Sequence, residues 1–183
     1  MIVGIIIGVV VLIIILYMVI LFNVLTKLKN YVEEAFSTMD VYLKKRWDLI
    51  PNLVEVVKAY AKHEKQTLKE VAEMRSLKYD NMSQAEKIKA NTALTDNIIK
   101  LVAVSEQYPK LCASEEFKNL STQLTKIEDE LVNARKYYNG SVRHMNNTIQ
   151  MFPNNIISRL FKFKKYEMFE IEREQKENII VNI

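Results

Sequence analysis

Turn-forming residues are scarce in this chain, whose 183 residues include 3 glycines and 3 prolines. A sheet protein needs more turn chemistry than these residues can supply, so the composition favours helices. The glycines are Gly4, Gly8 and Gly140, which lie too far apart to form a glycine-rich phosphate loop. We therefore expect an all-α protein without a phosphate site of that kind.

Residues suited to metal binding and covalent catalysis are equally few. The single cysteine, Cys112, permits no internal disulfide and fits a reducing compartment. The histidines are His63 and His144; His63 and Glu64 begin like a zinc-protease motif, but Thr67 stands where the second histidine is required. The sequence therefore predicts no catalytic residue, no metal site and no cofactor, and hence a non-enzymatic protein.

Charged side chains are absent from residues 1–26, and the first one is Lys27. At about 1.5 Å per helical residue, the apolar residues 2–22 are long enough to cross a hydrocarbon core of roughly 30 Å. The alternative is a cleaved signal peptide, which requires a basic start, a shorter apolar run and small residues at a cleavage site. Because these features are missing, we predict an uncleaved, single-pass transmembrane anchor over residues 1–26.

The basic residues near the anchor predict its orientation. Lys27, Lys29, Lys44, Lys45 and Arg46 all follow the apolar stretch. The more basic flank of a membrane helix stays in the cytoplasm. We therefore expect the N-terminus to lie outside and the rest of the chain to be cytoplasmic.

Helix boundary signals divide the rest of the chain. Asp48 and Pro51 indicate an N-cap with proline in the first helical turn, and we favour a turn there over a kink. The sequence SQAE at residues 83–86 is a capping box. Pro109 ends another helix, and Ser114 followed by two glutamates begins the last one.

Apolar residues between these signals recur at spacings of three and four, which is the helical period. We predict an all-α fold in which the transmembrane helix continues into a long-helix, antiparallel, up-down-up-down four-helix bundle. Three parts follow: an anchor at residues 1–26, a bundle at residues 27–155, and a tail at residues 156–183 that is first basic and aromatic, then acidic.

Four stretches resemble the LemA family, and they cover nearly the whole body in order. They are YLKKRWDLIPNLVEVVKAYAKHE (residues 42–64), EQYPKLCA (106–113), RKYYNGSV (135–142) and NTIQMFPN (147–154). The resemblance implies a bacterial membrane protein with an N-terminal anchor and a long-helix bundle, coiled-coil-like in its packing. It implies no agreed enzymatic activity; relatives are associated with envelope stress, membrane proteolysis and, in magnetosome bacteria, internal membrane formation.

A cluster of basic and aromatic residues lies near the C-terminus. It folds its rings back onto the bundle or contacts the membrane interface, with rings at headgroup depth and lysines on anionic phosphate. We favour the membrane contact because a four-pass bundle returns the chain to the bilayer. The candidate membrane-interface residues are Arg159, Phe161, Lys162, Phe163, Lys164, Lys165 and Tyr166.

Charged residues also occur along the predicted helix seams. Counting along the helices brings Glu64 within about a turn of Arg135, and Arg46 lies on the apolar stripe of the first helix. We predict that Arg46, Glu64 and Arg135 form a structural polar seam in which Glu64 pairs with Arg135 and fixes helix register.

The most favoured function is a membrane-anchored helical scaffold or adaptor at the cytoplasmic face of a bacterial membrane. Its expected partners are the lipid bilayer and either another protein or a second copy of the chain. Nucleic acid is not expected, because the lysines of residues 55–70 alternate with glutamates. The alternative function is a regulator or sensor in envelope stress or membrane protein quality control.

Overall fold

The computed structural model describes residues 1–61 and 78–169. These residues form helices and connecting loops, with no strand among them, as the composition predicts. The helices are α1 (Ile2–Tyr60), α2 (Gln84–Glu106), α3 (Pro109–Ala113), α4 (Glu115–Thr148) and α5 (Asn154–Leu160), with a 3₁₀ turn at Tyr79–Asn81. The up-down-up-down four-helix arrangement stays a prediction.

The first third of α1 differs sharply from the remainder in its surroundings. Its apolar side chains from Ile2 to Ile20 lie on the surface, and the most apolar 18-residue window has a mean hydropathy of 3.5 with none of it buried. Burial begins at Leu25 and continues through Leu28 and Val32 at helical spacing. By length and composition, α1 is able to cross a membrane.

The predicted turn at Asp48 and Pro51 is wrong, because α1 continues through both residues with Pro51 inside it. Proline within a helix costs about 3 kcal/mol. Buried apolar side chains flank it, including Ile50, Leu53 and Val57, and each contributes about 1.5–3 kcal/mol. Their burial along one helix face outweighs the lost backbone hydrogen bond. The apolar residues after Pro51, as far as Tyr60, therefore extend the first helix and do not begin a second one.

Two compact units make up the chain. The first consists of Met1–Ser37 and Lys136–Met168. Its core combines α1 residues such as Leu25 and Val32 with Val142 and Met145 of α4. The ring of Phe36 meets that of Tyr138 edge-on, with centroids 5.7 Å apart.

The second unit comprises Thr38–Arg135 and Phe169–Ile183, of which the structure describes the residues given above. Leu43 and Leu53 of α1, Leu101 of α2 and Leu131 of α4 are fully buried in it. The capping box predicted at residues 83–86 is confirmed here. Glu86 N donates to Ser83 Oγ and Ser83 N donates to Glu86 Oε2. Helix α2 ends at Glu106, before Pro109 as predicted. The short helix α3, which Pro109 begins, was not predicted.

Candidate membrane-interface site

The aromatic residues after α5 pack against α1 where its apolar run ends. The ring of Phe22 lies 4.7 Å from that of Phe161 and 5.8 Å from that of Phe163, centroid to centroid. The rings of this segment thus contact the protein at the end of the apolar stretch, and the membrane contact stays a prediction. Phe161 remains 49% exposed even so.

Hydrogen bonds from helical side chains to its main chain hold the segment of residues 161–167 in place. Asn146 on α4 pairs with the backbone of Tyr166, donating to its carbonyl at 2.8 Å and accepting from its N–H at 3.0 Å. The hydroxyl of Tyr138 donates to the carbonyl of Glu167 at 2.8 Å. Two helical side chains thus fix an otherwise irregular stretch, in the way that side-chain bonds commonly satisfy loop backbone.

Lys162 adopts a left-handed backbone conformation with φ 57°. It follows the C-cap of α5, where Phe163 N donates to Ser158 O and Lys162 N donates to Arg159 O. This pair of bonds is a Schellman motif, whose left-handed position is usually glycine because a Cβ is strained there. A lysine in this place turns the chain back toward α1 at a conformational cost.

A cleft of about 600 Å³ lies between α1 and this segment. Its α1 side carries Phe22, Thr26, Lys29 and Asn30, Met145 contributes from α4, and residues 161–166 form the other side. Aromatic residues and lysines thus line one cavity.

Two polar groups distinguish this cleft from a simple apolar gap. The hydroxyl oxygen of Thr26 is buried and has no hydrogen-bond partner within the part of the chain that the structure describes. The pKa of Tyr166 is raised by burial and by the nearby Glu33 carboxylate, which keeps its phenol neutral. Lys29 is half-exposed and lies 3.6 Å from Glu33, and Lys165 donates to the Gln150 side chain at 3.2 Å.

Helix α5 presents an uncovered apolar face beside the cleft. Ile156 and Leu160 are one helical turn apart and are 56% and 61% exposed, and Phe152 just before the helix is also exposed. Arg159, in the last turn of α5, is exposed and does not line the cleft. The predicted basic residues Lys162, Lys164 and Lys165 are exposed as well.

Arg46, predicted to lie on a polar seam, is buried in the second unit with 1% of its side chain exposed. Its Nε lies 2.6 Å from Glu128 Oε1, and its terminal nitrogens donate to Thr95 Oγ1 and to the carbonyl of Asn91. Burial lowers the pKa of Arg46, and the charge of Glu128 opposes that shift. The arrangement binds α1 to α2 and α4 through one guanidinium.

Arg135 lies in the same unit, with its guanidinium 4.4 Å from the ring centroid of Phe169. Burial and the charge of Arg46 lower its pKa to about 10, against the effect of Glu128. Its Nε and Nη2 are buried and form no hydrogen bond within residues 1–61 and 78–169. Glu64, the predicted partner, lies outside the described residues, so that pairing stays a prediction.

Metal-binding groups do not cluster in the described ranges, where no set of three His, Cys, Asp or Glu side chains is close enough to hold an ion. Cys112 is half-buried, and its thiol donates to the carbonyl of Ser105. The sequence analysis did not assign several cleft residues to a site, notably Phe22, Thr26 and Lys29. The one sequence feature that could have indicated them is their position at the end of the uncharged run.

Comparison with known proteins returned one family and several relatives. The sequence model of the LemA family matches residues 35–183. Protein LemA of Metamycoplasma hominis is 25% identical over 155 residues, covering 82% of this chain and 71% of the relative.

Magnetosome proteins are also similar, over a shorter stretch. Magnetosome protein MamQ 2 of Paramagnetospirillum magneticum is 32% identical over 71 residues, covering 39% of this chain and 26% of the relative. Magnetosome protein MamQ of Magnetospirillum gryphiswaldense is 30% identical over 70 residues, with 38% and 26% covered. The chain thus spans about a quarter of the length of these magnetosome relatives.

Proposed function

Given that this chain belongs to the LemA family, we propose that it is a single-pass, membrane-anchored helical scaffold or adaptor. It binds another protein, or a second copy of itself, close to the cytoplasmic face of a bacterial membrane. No reaction is part of this proposal. The tethered helical body is the functional element.

The observation that carries the proposal is the continuity of α1. Exposed apolar side chains reach Ile20, and burial in the helical core begins at Leu25, so no linker separates the stretch suited to lipid from the folded body. A surface on such a body is held near the bilayer without a flexible spacer. Restricting a partner to that layer raises its effective concentration at the membrane.

A non-enzymatic role has its own support in the buried polar groups. Arg46, Asn91 and Ser105 are each almost fully enclosed, whereas a reaction centre needs polar groups that a substrate can reach. Arg46 is paired with Glu128. Its terminal nitrogens also bond to Thr95 and to the backbone of Asn91. Enclosed groups that link neighbouring helices in this way are typical of residues that specify packing.

The partner surface is best sought on exposed apolar side chains of the body. Ile99 and Val102 lie three residues apart on α2 and are both exposed, so they share a face. The test is photo-cross-linking from residue 99 in native membranes, followed by isolation in mild detergent. We expect a single discrete adduct, either with another protein or with a second copy. Cross-linking from Lys110, an exposed residue of α3, serves as the control.

A chain that remains monomeric in mild detergent and yields no adduct from residue 99 contradicts the scaffold proposal. The second candidate function is a sensor in envelope stress or membrane protein quality control. The cationic cleft at the end of the apolar stretch favours it, because that cleft adjoins lipid if α1 spans the membrane. A sensor differs from a scaffold in one respect: its adducts change with lipid composition.

A further inference from the structure

We propose that the cleft between α1 and residues 161–166 binds the phosphate-bearing headgroup of one anionic phospholipid. The inference deepens the proposed function and rests on its premise that α1 spans a membrane. It assigns a ligand class to a cavity of about 600 Å³. That space suits a headgroup and leaves the acyl chains outside, against the apolar part of α1.

The two kinds of side chain in the cleft match the two parts of such a lipid. Phe22, Phe161 and Phe163 supply an apolar wall. The basic residues Lys29, Lys162, Lys164 and Lys165 line the same cavity. Ammonium groups donate strong hydrogen bonds to phosphate oxygens. Anionic lipid surfaces also attract lysines placed beside a membrane helix.

Thr26 provides an independent indication of a ligand. Thr26 lines the cleft, and its hydroxyl oxygen is buried and lacks a hydrogen-bond partner in the described part of the chain. A buried hydroxyl of this kind calls for a partner that the protein alone does not supply. A phosphate oxygen, an acceptor with several lone pairs, satisfies it.

The position of the cleft along α1 selects a lipid over a soluble phosphate compound. Phe22 and Thr26 lie where the uncharged run of the sequence ends, just before Lys27. In a spanning helix this level is the interface between acyl chains and headgroups. The exposed apolar residues Ile156 and Leu160 on α5 add a surface for acyl chains that a soluble ligand would leave uncovered.

The backbone of Lys162 agrees with this assignment. Its left-handed conformation is strained for any residue with a Cβ, and glycine would relieve it. Strained positions concentrate at functional sites. Here the strain places a lysine, with its charge, at the cleft.

The experiment titrates intact protein in mild, uncharged detergent with phosphatidylglycerol or phosphatidylcholine of identical acyl chains, and native mass spectrometry counts bound lipids. We expect each protein molecule to retain one phosphatidylglycerol and to bind phosphatidylcholine much more weakly. Replacing Lys162, Lys164 and Lys165 with Gln should weaken phosphatidylglycerol binding on the order of a hundredfold, since each lysine contributes independently to anionic lipid attraction. Thr26→Val, which keeps the shape and removes the hydroxyl, should weaken it several-fold, as expected for one lost hydrogen bond.

The matched control replaces Lys110, Lys118 and Lys126 with Gln, which removes the same charge from exposed positions that do not line the cleft. The proposal is overturned if the control variant loses as much phosphatidylglycerol binding as the cleft variant, or if both lipids bind equally well. Sodium phosphate, compared with sodium chloride at matched ionic strength, is the remaining arm. If sodium phosphate binds as tightly as phosphatidylglycerol does, the acyl chains contribute nothing, the site takes free phosphate and the lipid assignment is wrong.

Folding and function are controlled separately. Circular dichroism and thermal unfolding confirm that each variant is folded, and Thr26→Val tests the site without changing charge. Because the assay contains no protein partner, a failed lipid titration leaves the cross-linking from residue 99 intact. Conversely, absent cross-links leave this binding measurement unaffected.

Discussion

Arg46 Nε lies 2.6 Å from Glu128 Oε1, and the Arg46 side chain is 1% exposed while that of Glu128 is 34% exposed. A buried guanidinium that loses its carboxylate retains a desolvated charge, which costs far more than an exposed ion pair gains. The same guanidinium also bonds to Thr95 and to the backbone of Asn91. This contact therefore joins three helices through one charge.

The first prediction concerns this pair. Glu128→Gln should lower the free energy of unfolding by about 3 kcal/mol, because Arg46 stays charged and buried. Arg46→Met combined with Glu128→Leu should cost clearly less, since no buried charge remains. Urea unfolding in a constant detergent, followed by circular dichroism, measures both.

The control for that prediction is the exposed pair of Lys29 and Glu33, 3.6 Å apart. Lys29→Gln should change stability by less than about 1 kcal/mol, as surface pairs do. If Glu128→Gln is as mild as Lys29→Gln, the Arg46 charge is solvated and the interpretation of the cluster is wrong.

The second prediction concerns alkaline pH. Burial, together with Tyr166 and Glu167, raises the pKa of Tyr138 to about 12, whereas an unfolded tyrosine ionises near pH 10. The native state then holds a proton that the unfolded state has released. The stability that Tyr138 contributes is therefore complete below pH 10, and between pH 10 and pH 12 it falls by up to about 2 kcal/mol.

Urea unfolding at successive alkaline pH values measures this slope. Tyr138→Phe should make the decline shallower, whereas Tyr137→Phe, at an adjacent residue that is exposed, should leave it unchanged. In the Tyr138→Phe variant, phenolate absorbance should show the loss of one tyrosine that ionises with a raised pKa. Identical slopes in the two variants would refute the assignment.

The third prediction concerns the left-handed residue after α5. Lys162→Gly should raise the free energy of unfolding by about 1 kcal/mol, because glycine adopts φ 57° without the strain of a Cβ. Lys164→Gly removes the same charge where positive φ does not occur, so it should not stabilise. Urea unfolding distinguishes them, and equal destabilisation by both would show that Lys162 is not strained.

The fourth prediction concerns orientation. The basic residues that follow the apolar stretch predict that the body lies in the cytoplasm. A green fluorescent protein fused after Ile183 should fluoresce, and alkaline phosphatase fused there should be inactive. Cys112 offers a check in the unfused chain: a membrane-impermeant maleimide should label it only after lysis and denaturation. Active alkaline phosphatase at that position would reverse the assignment.

Local signals in the sequence were sufficient for several elements. The capping box at Ser83 and Glu86 and the helix start after Ser114 involve neighbours in the chain, and the structure contains both. The signal at Asp48 and Pro51 is equally local, yet the helix start that it predicts is absent from the structure, where α1 continues through both residues. Local propensity favoured a helix start there, but burial of Ile50 and Leu53 on a continuous face is a tertiary effect that overrides it.

The remaining features depend on contacts between distant residues. The cleft brings Thr26 together with residues 161–166, more than 130 positions later in the chain, and no spacing rule connects them. Tyr79 donates to Asp40 at 2.7 Å, and Lys87 binds the same carboxylate; neither pairing leaves a periodic pattern. The sequence did identify the lysines and rings after α5, because their alternation is local.

The central claim is that residues 159–166 lie at the level of the bilayer surface, beside the end of the apolar stretch of α1. Its most direct test is spin-label depth in lipid bilayers, on a Cys112→Ser background with one new cysteine at Leu160, Asn23 or Lys118. Relative accessibility to oxygen and to a water-soluble nickel chelate reports depth. The account predicts that the label at Leu160 matches that at Asn23 and differs from the water-exposed label at Lys118. A label at Leu160 as accessible to nickel as the one at Lys118 would contradict it.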